Sequence, residues 1–221
     1  MTRTIEAAVF DLDGTLIDSL GDLTDALNRL LAQLGRPRLD ETVVRSMVGD
    51  GAAKLVERAC AATGGIPAPI EPLVSAFVGL YESAVAERTR PYPGVPEALE
   101  RLSGMGIRLC VWTNKPARAT RDVLAALELD RFFQAVAGGD SYTARKPDAA
   151  PLLGVLQEIG VAPAASVMVG DHLNDVACAR AAGTRVIAVR FGYSSVPAEK
   201  LGADQVAGAF SEIPDLVDRL G

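Results

Sequence analysis

Asp11 and Asp13 stand two residues apart in Phe10-Asp11-Leu12-Asp13-Gly14-Thr15, directly after the apolar run Ala7-Ala8-Val9-Phe10. Two carboxylates about 4 Å apart repel by roughly 4 kcal/mol at an effective dielectric of 20, so such a pair calls for a cation or a proton. Three further segments set polar groups beside apolar stretches or before a predicted helix. They are Val111-Trp112-Thr113-Asn114-Lys115, Arg145-Lys146-Pro147 and Val169-Gly170-Asp171-His172-Leu173-Asn174-Asp175. Acids without a softer donor form the all-oxygen ligand set that suits Mg²⁺. A cation would let an anionic Asp11 approach an anionic phosphorus. Hydrolysis of a phosphate monoester is mostly charge stabilisation and positioning of this kind.

These groups must be carried by elements that bring them together. The run before Asp11 has the pattern of a buried strand, and Gly14 allows a sharp turn after it. Segments 107–112, 134–137, 166–170 and 185–189 are predicted strands, with a short last strand at 205–206. Helices are predicted between them near 95–105, 117–127, 149–160 and 174–182, and a final helix over about 211–220. Alternation of this kind specifies an α/β fold with a doubly wound, parallel, Rossmann-like sheet. Such sheets take ligands beyond the carboxyl ends of their strands, where Asp11, Thr113 and Asp171 fall.

The stretch between Asp18 and Arg88 differs. Leu20, Leu23, Leu27, Leu30, Leu31 and Leu34 recur at helical spacing, with Asp18 or Ser19 as cap and Gly35 as stop. A helix over about 52–63 and another marked by Leu73, Val74, Phe77, Leu80, Tyr81, Ala84 and Val85 follow, and no strand is predicted from Leu20 to Arg88. Pro91-Tyr92-Pro93-Gly94 marks a boundary. Residues 1–17 and 90–221 are therefore expected to form the sheet core, and 18–89 an all-helical cap. The insertion leaves the sheet right after the acidic motif, so it must hang beside the site.

Composition narrows the partners. A net charge of −6 argues against a general nucleic-acid or acidic-membrane surface. No apolar run is long enough to span a bilayer, and the start of the chain, with Arg3 and Glu6, lacks the apolar core of a signal peptide. Cys60, Cys110 and Cys178 match neither a disulfide framework nor a zinc cluster, which points to reduced thiols in the cytoplasm. The expected partner is a small phosphorylated metabolite, and the expected state a monomer or homodimer.

The four segments, in this order, resemble the motifs of the haloacid dehalogenase superfamily in its phosphatase branch, and the resemblance covers essentially the whole chain. Val48-Gly49-Asp50-Gly51-Ala52-Ala53-Lys54-Leu55 and Tyr92-Pro93-Gly94-Val95 resemble the cap loop and return segment of phosphoglycolate phosphatases, although other small-molecule phosphatases share parts of both. The resemblance implies that Asp11 is a nucleophile forming an aspartyl-phosphate. It implies that Asp13 is general acid for the leaving alkoxide and then general base for water. Asp11, Asp13 and Asp171 would hold Mg²⁺, with the Asp13 carbonyl as a further ligand. Thr113 and the Asn114 backbone would bind the phosphoryl oxygens, Lys146 would hold Asp11 and the transferring group, and Asp175 would orient metal-bound water or Lys146.

The implied reaction is hydrolysis of 2-phosphoglycolate to glycolate and phosphate. Alternatives are a phosphatase for a sugar phosphate or pyrophosphate, and a sugar-phosphate mutase of the same fold. A binding module without chemistry and a dehalogenase fit the motifs less well. Gly49, Asp50 and Gly51, opening a helix, are the expected specificity loop. Lys115 is expected to be a solvated charge. His172, the one histidine, departs from the small polar residue usual in the family; the alternatives are a hydrogen bond near the phosphate or a place facing solvent, and the second is expected rather than a metal or catalytic role.

Overall fold

A computed structural model describes residues 5–221; the reading of Arg3 in the leader region lies outside the described residues. Strand β1 (Ala7–Phe10) is buried along its whole length because it lies at the centre of a six-stranded sheet. After the short β2 (Ile17–Asp18) and β3 (Arg90–Pro91) come β4 (Arg108–Trp112), β5 (Ala135–Ala137), β6 (Ser166–Gly170), β7 (Arg185–Val189) and β8 (Gln205–Ala207). The sheet order is β5-β4-β1-β6-β7-β8, with every pair parallel.

Both sheet faces are covered, which explains the continuous apolar runs. Ala8, Phe10, Leu109, Val111, Val167 and Val169 pack one way, against α5 (Val95–Gly104) and α9 (Ile213–Leu220). Ala7, Val9, Cys110, Trp112 and Met168 pack the other way, against α7 (Ala150–Glu158) and α8 (Leu173–Ala182). The remaining core helix, α6 (Ala117–Ala126), follows β4. The chain runs outward from β1 to β5, then crosses back to β6. The crevice of the reversal lies at the carboxyl ends of β1 and β6, where a doubly wound sheet takes its ligand.

Helices α1 (Leu20–Gln33), α2 (Glu41–Arg45), α3 (Ala52–Thr63) and α4 (Glu71–Glu82) share an apolar cluster that includes Leu23, Leu27, Val44, Val56 and Phe77. Ala119 and Tyr193 from the sheet side join that cluster, so the helical segment is packed onto the core. The sequence does not forecast α2 or the β2–β3 ribbon. That ribbon pairs Ile17 with Pro91 and Asp18 with Arg90, tying the two ends of the helical segment together. Buried Asp22 seals the junction by accepting from the Arg88 and Thr89 N–H groups, each at 2.9 Å, and from the Thr89 hydroxyl at 2.5 Å. The start of α1 also differs in detail. Its N-cap is Ser19, but the Leu20 N–H is met by Asp18 at 3.2 Å and by the Tyr193 hydroxyl at 3.1 Å, because the Ser19 hydroxyl is used elsewhere.

Candidate active site

Asp11 leaves the end of β1 with its N–H bonded to the Val169 carbonyl of β6 at 2.9 Å. Asp171 follows β6, and Asp175 lies in the first turn of α8. Carboxylate oxygens of Asp11, Asp171 and Asp175 all lie within 4.8 Å of one another. One cation joins two of them directly. Lys146 Nζ lies 2.8 Å from Asp11 and 2.7 Å from Asp175, with its side chain 2% exposed.

Three acids around one ammonium leave negative charge unmatched, and the acidities register this. Burial pushes Asp11 up to about 6, with Asp175 adding to the rise and Lys146 opposing it. Burial, then the charges of Asp175 and Asp11, push Asp171 up to about 8. The bonds Asp171 accepts from the Tyr193 N–H at 2.7 Å, the Ser194 N–H at 3.3 Å and the Thr15 hydroxyl at 3.3 Å only partly offset this. Burial disfavours the charge on Lys146, but Asp11 and Asp175 outweigh it and hold the ammonium above its ordinary range. Oxygen donors alone with a charge deficit make this trio a site that can hold a metal ion.

Asp13 faces a different cation. Its carboxylate meets Lys115 Nζ at 3.0 and 3.1 Å and accepts from the Ser19 hydroxyl at 2.5 Å. Asp175, rather than the Asp13 carboxylate, thus completes the acidic trio. The expectation that Lys115 is a solvated charge is overturned, because its side chain is 5% exposed and ion-paired. Burial works against the Lys115 charge, but Asp13 and Tyr81 hold it above its ordinary range. The signal was its place at the carboxyl end of a central strand, the same place that singles out Asp11 and Asp171.

Thr113 and Asn114 are buried at the end of β4. The Asn114 side chain accepts from the Lys146 N–H at 3.1 Å and donates to the Gly49 carbonyl at 3.2 Å, so it joins the helical segment to the Lys146 loop. Asp50 pairs with Arg58 and accepts from Asn174 Nδ2 at 2.6 Å. Burial would raise its carboxyl, yet Arg58 and Asn174 hold it below the usual range. Gly49 lies against the His172 ring. His172 itself caps α8, its Nδ1 accepting from the Asn174 N–H at 3.4 Å, while Asp175 accepts the His172 N–H at 2.9 Å in a capping box. This role and its lining of the cavity correct the expectation that it faces solvent.

The loop after β7 gave no signal in the sequence reading. A Cβ on Gly192 would lie 2.1 Å from the Asp171 Cβ, so only glycine lets the loop come close enough to bond that carboxylate. Arg45 donates to the Gly192 carbonyl from the helical side. Asp11, Asp13, Thr113, Asn114, Lys115, Lys146 and Asp175 all line one cavity, roofed by Val48, Leu55, Phe77 and Tyr81. Among the described residues no helix is long and apolar enough to cross a membrane.

Residues 8–189 match the family model described as haloacid dehalogenase-like hydrolase. A phosphoglycolate phosphatase of Caulobacter vibrioides is 42% identical over 210 residues, covering 93% of this chain and 87% of the relative. A phosphoglycolate phosphatase of Chromobacterium violaceum is 42% identical over 218 residues, 97% of each chain. A crystal structure described as a predicted phosphoglycolate phosphatase, from Haemophilus somnus, superposes with a TM-score of 0.91 at 30% identity, covering 96% of this chain and 97% of that one.

Proposed function

The chain belongs to the haloacid dehalogenase-like hydrolases, and from that premise we propose that it is a Mg²⁺-dependent phosphomonoesterase that hydrolyses 2-phosphoglycolate through an aspartyl-phosphate on Asp11. The observation that carries this reading is the buried Lys146 between Asp11 and Asp175, beside an acidic trio short of positive charge. The likeness to named phosphoglycolate phosphatases over nearly the full length supports the substrate.

Asp11, Asp171 and Asp175 would hold the metal, with the Asp13 main-chain carbonyl as a further oxygen. When bound, Mg²⁺ supplies positive charge that lowers the repulsion between the carboxylates and the phosphoryl oxygens. Asp11 attacks phosphorus and takes the phosphoryl group, dividing one displacement into two steps. Lys146 offsets the charge of Asp11 and of the transferring group. Thr113 and the Asn114 backbone hold phosphoryl oxygens. In its protonated form Asp13 is the general acid for the leaving alkoxide, and the carboxylate this leaves, facing Lys115, takes a proton back from the attacking water, a role worth typically about 10²–10⁴-fold in rate. The packed cap loop excludes bulk water from these exchanges.

The substrate reading is tested by phosphate release from 2-phosphoglycolate, sugar phosphates and pyrophosphate, with and without Mg²⁺. Phosphoglycolate is expected to be preferred by about tenfold or more in kcat/KM, with Mg²⁺ required and no bisphosphate activator. A sugar phosphate turned over best, or only with a bisphosphate, would contradict it.

The metal has a pH signature. Asp11 and Asp171 bind protons more tightly folded, at about 6 and about 8, than at their ordinary 3.8. Raised carboxyl pKa values give stability that is full below the unfolded pKa and lost as pH rises through the folded values. Protons and a metal compete for the same oxygens. Saturating Mg²⁺ is therefore expected to raise Tm by about 5 °C or more at pH 8 and by far less at pH 5. No rise at pH 8, or an equal rise at both, would contradict the assignment.

A further inference from the structure

Tyr81 reaches from α4 into the cavity that Asp11 and Lys146 line. It is 4% exposed, and its hydroxyl has no hydrogen-bond partner among the described residues. A buried hydroxyl left unpaired costs about 1–3 kcal/mol. One that lines a ligand cavity therefore points to a ligand. Lys115 Nζ lies 4.2 Å from the centroid of the Tyr81 ring. Its contacts with the two Asp13 oxygens use two of the three donors that an ammonium carries, and the third is on the side of Tyr81. Lys146, the other lysine lining the cavity, is held between Asp11 and Asp175. The wall beside Tyr81 is apolar, built from Leu23, Leu55, Phe77 and Val78.

We propose that Lys115 and Tyr81 form the subsite for the non-reacting end of the substrate, and that this subsite selects a carboxylate. The Lys115 ammonium and the Tyr81 O–H, which donates to no group among the described residues, are both donors to an anion. The apolar wall offers nothing to a sugar's hydroxyl groups. Tyr81 belongs to the helical segment and Lys115 to the sheet, so a carboxylate bound to both links the two. The inference rests on the phosphatase reading given above and names residues for its substrate choice.

The test compares kcat/KM for 2-phosphoglycolate and ethyl phosphate, which keeps the two-carbon chain but replaces the carboxylate with a methyl group. The wild type, Tyr81→Phe and Lys115→Met are measured at saturating Mg²⁺. Lys115→Met also disturbs Asp13, so its rate falls on both esters, and the ratio between the two is the readout. The wild type is expected to favour phosphoglycolate by about 100-fold or more. Each substitution should lower that ratio by about tenfold or more, through KM in Tyr81→Phe, as expected for a hydrogen bond to a charged group. Tyr81→Phe removes only an unpaired hydroxyl, so its Tm should not fall and a loss of recognition is separable from misfolding. Ratios within threefold of wild type in both variants, or a wild type that hydrolyses both esters equally, would overturn the subsite while leaving the phosphatase reading intact. No turnover of either ester would overturn that reading and the subsite with it.

Discussion

Asp11→Asn is expected to lower kcat by about 10⁴-fold or more, with the fold retained. A carboxamide is a poor nucleophile, and loss of a nucleophile removes the covalent route rather than one contact within it. The substitution also leaves Asp171 and Asp175 as the only acids of the trio, so Mg²⁺ should bind more weakly. The structural cost is small by comparison. Asparagine fills the same space at the end of β1, and its side-chain oxygen can still accept from Lys146, which lies 2.8 Å from Asp11. Burial already holds the Asp11 carboxyl up at about 6, so neutralising it removes a charge that the folded protein disfavours. The metal-free Tm of this variant is therefore expected to equal or exceed that of the wild type. Activity within tenfold of wild type, measured as phosphate release, would mean that another group attacks phosphorus.

Lys146→Met is expected to fail in both respects. Activity should fall by about 10³-fold or more, because the charge facing Asp11 and the transferring phosphoryl group is lost. Stability should fall too. Lys146 and Asp175 side chains are each 2% exposed, and removing one partner of a buried pair costs about 3–5 kcal/mol through the charge left behind. The loss should shrink at low pH, since protonation of Asp11, whose carboxyl burial holds up at about 6, removes part of the orphaned charge. Thermal melts of the metal-free proteins at pH 5 and pH 8 give the comparison. The gap between wild type and variant should be clearly wider at pH 8, and an equal gap would show that packing rather than charge is lost. The contrast with Asp11→Asn is the useful part. One substitution removes a disfavoured charge and loses only chemistry, whereas the other strands charges and loses both.

Much of this arrangement was legible in the amino-acid order, for a physical reason. Strands of a parallel sheet are covered on both faces, so β1, β4, β6 and β7 appear as short apolar runs that end abruptly in polar groups. Those ends are where a doubly wound sheet places ligands. Asp11, Thr113, Asn114 and Asp171 could therefore be picked out together; the structure sets Asp11, Thr113 and Asn114 with Lys146 at one cavity and Asp171 beside Asp11. Leucine spacing marked α1 for the same kind of reason.

Other features depend on partners far away in sequence. The end of β4 singles Lys115 out, but a lysine after a strand looks the same whether it enters water or meets an acid, and its partner Asp13 lies 102 residues away. The choice of Asp175 over the Asp13 carboxylate in the acidic trio depends on the angle at which α8 leaves β6. The ribbon of β2 and β3 has two residues per strand, too few for any periodicity to register. Tyr193 meets Ser19 across 174 positions and holds Asp171 through its own N–H, and nothing in Phe191-Gly192-Tyr193-Ser194 announces either contact.

The central claim is that Asp11 itself takes the phosphoryl group. Rapid acid quench during turnover of 2-phosphoglycolate labelled in the phosphate, followed by peptide mapping, tests it most directly. The label is expected on the peptide containing Asp11 in the wild type and on no peptide in Asp11→Asn. Label on a different residue, or full turnover with no labelled peptide at any quench time, would contradict it.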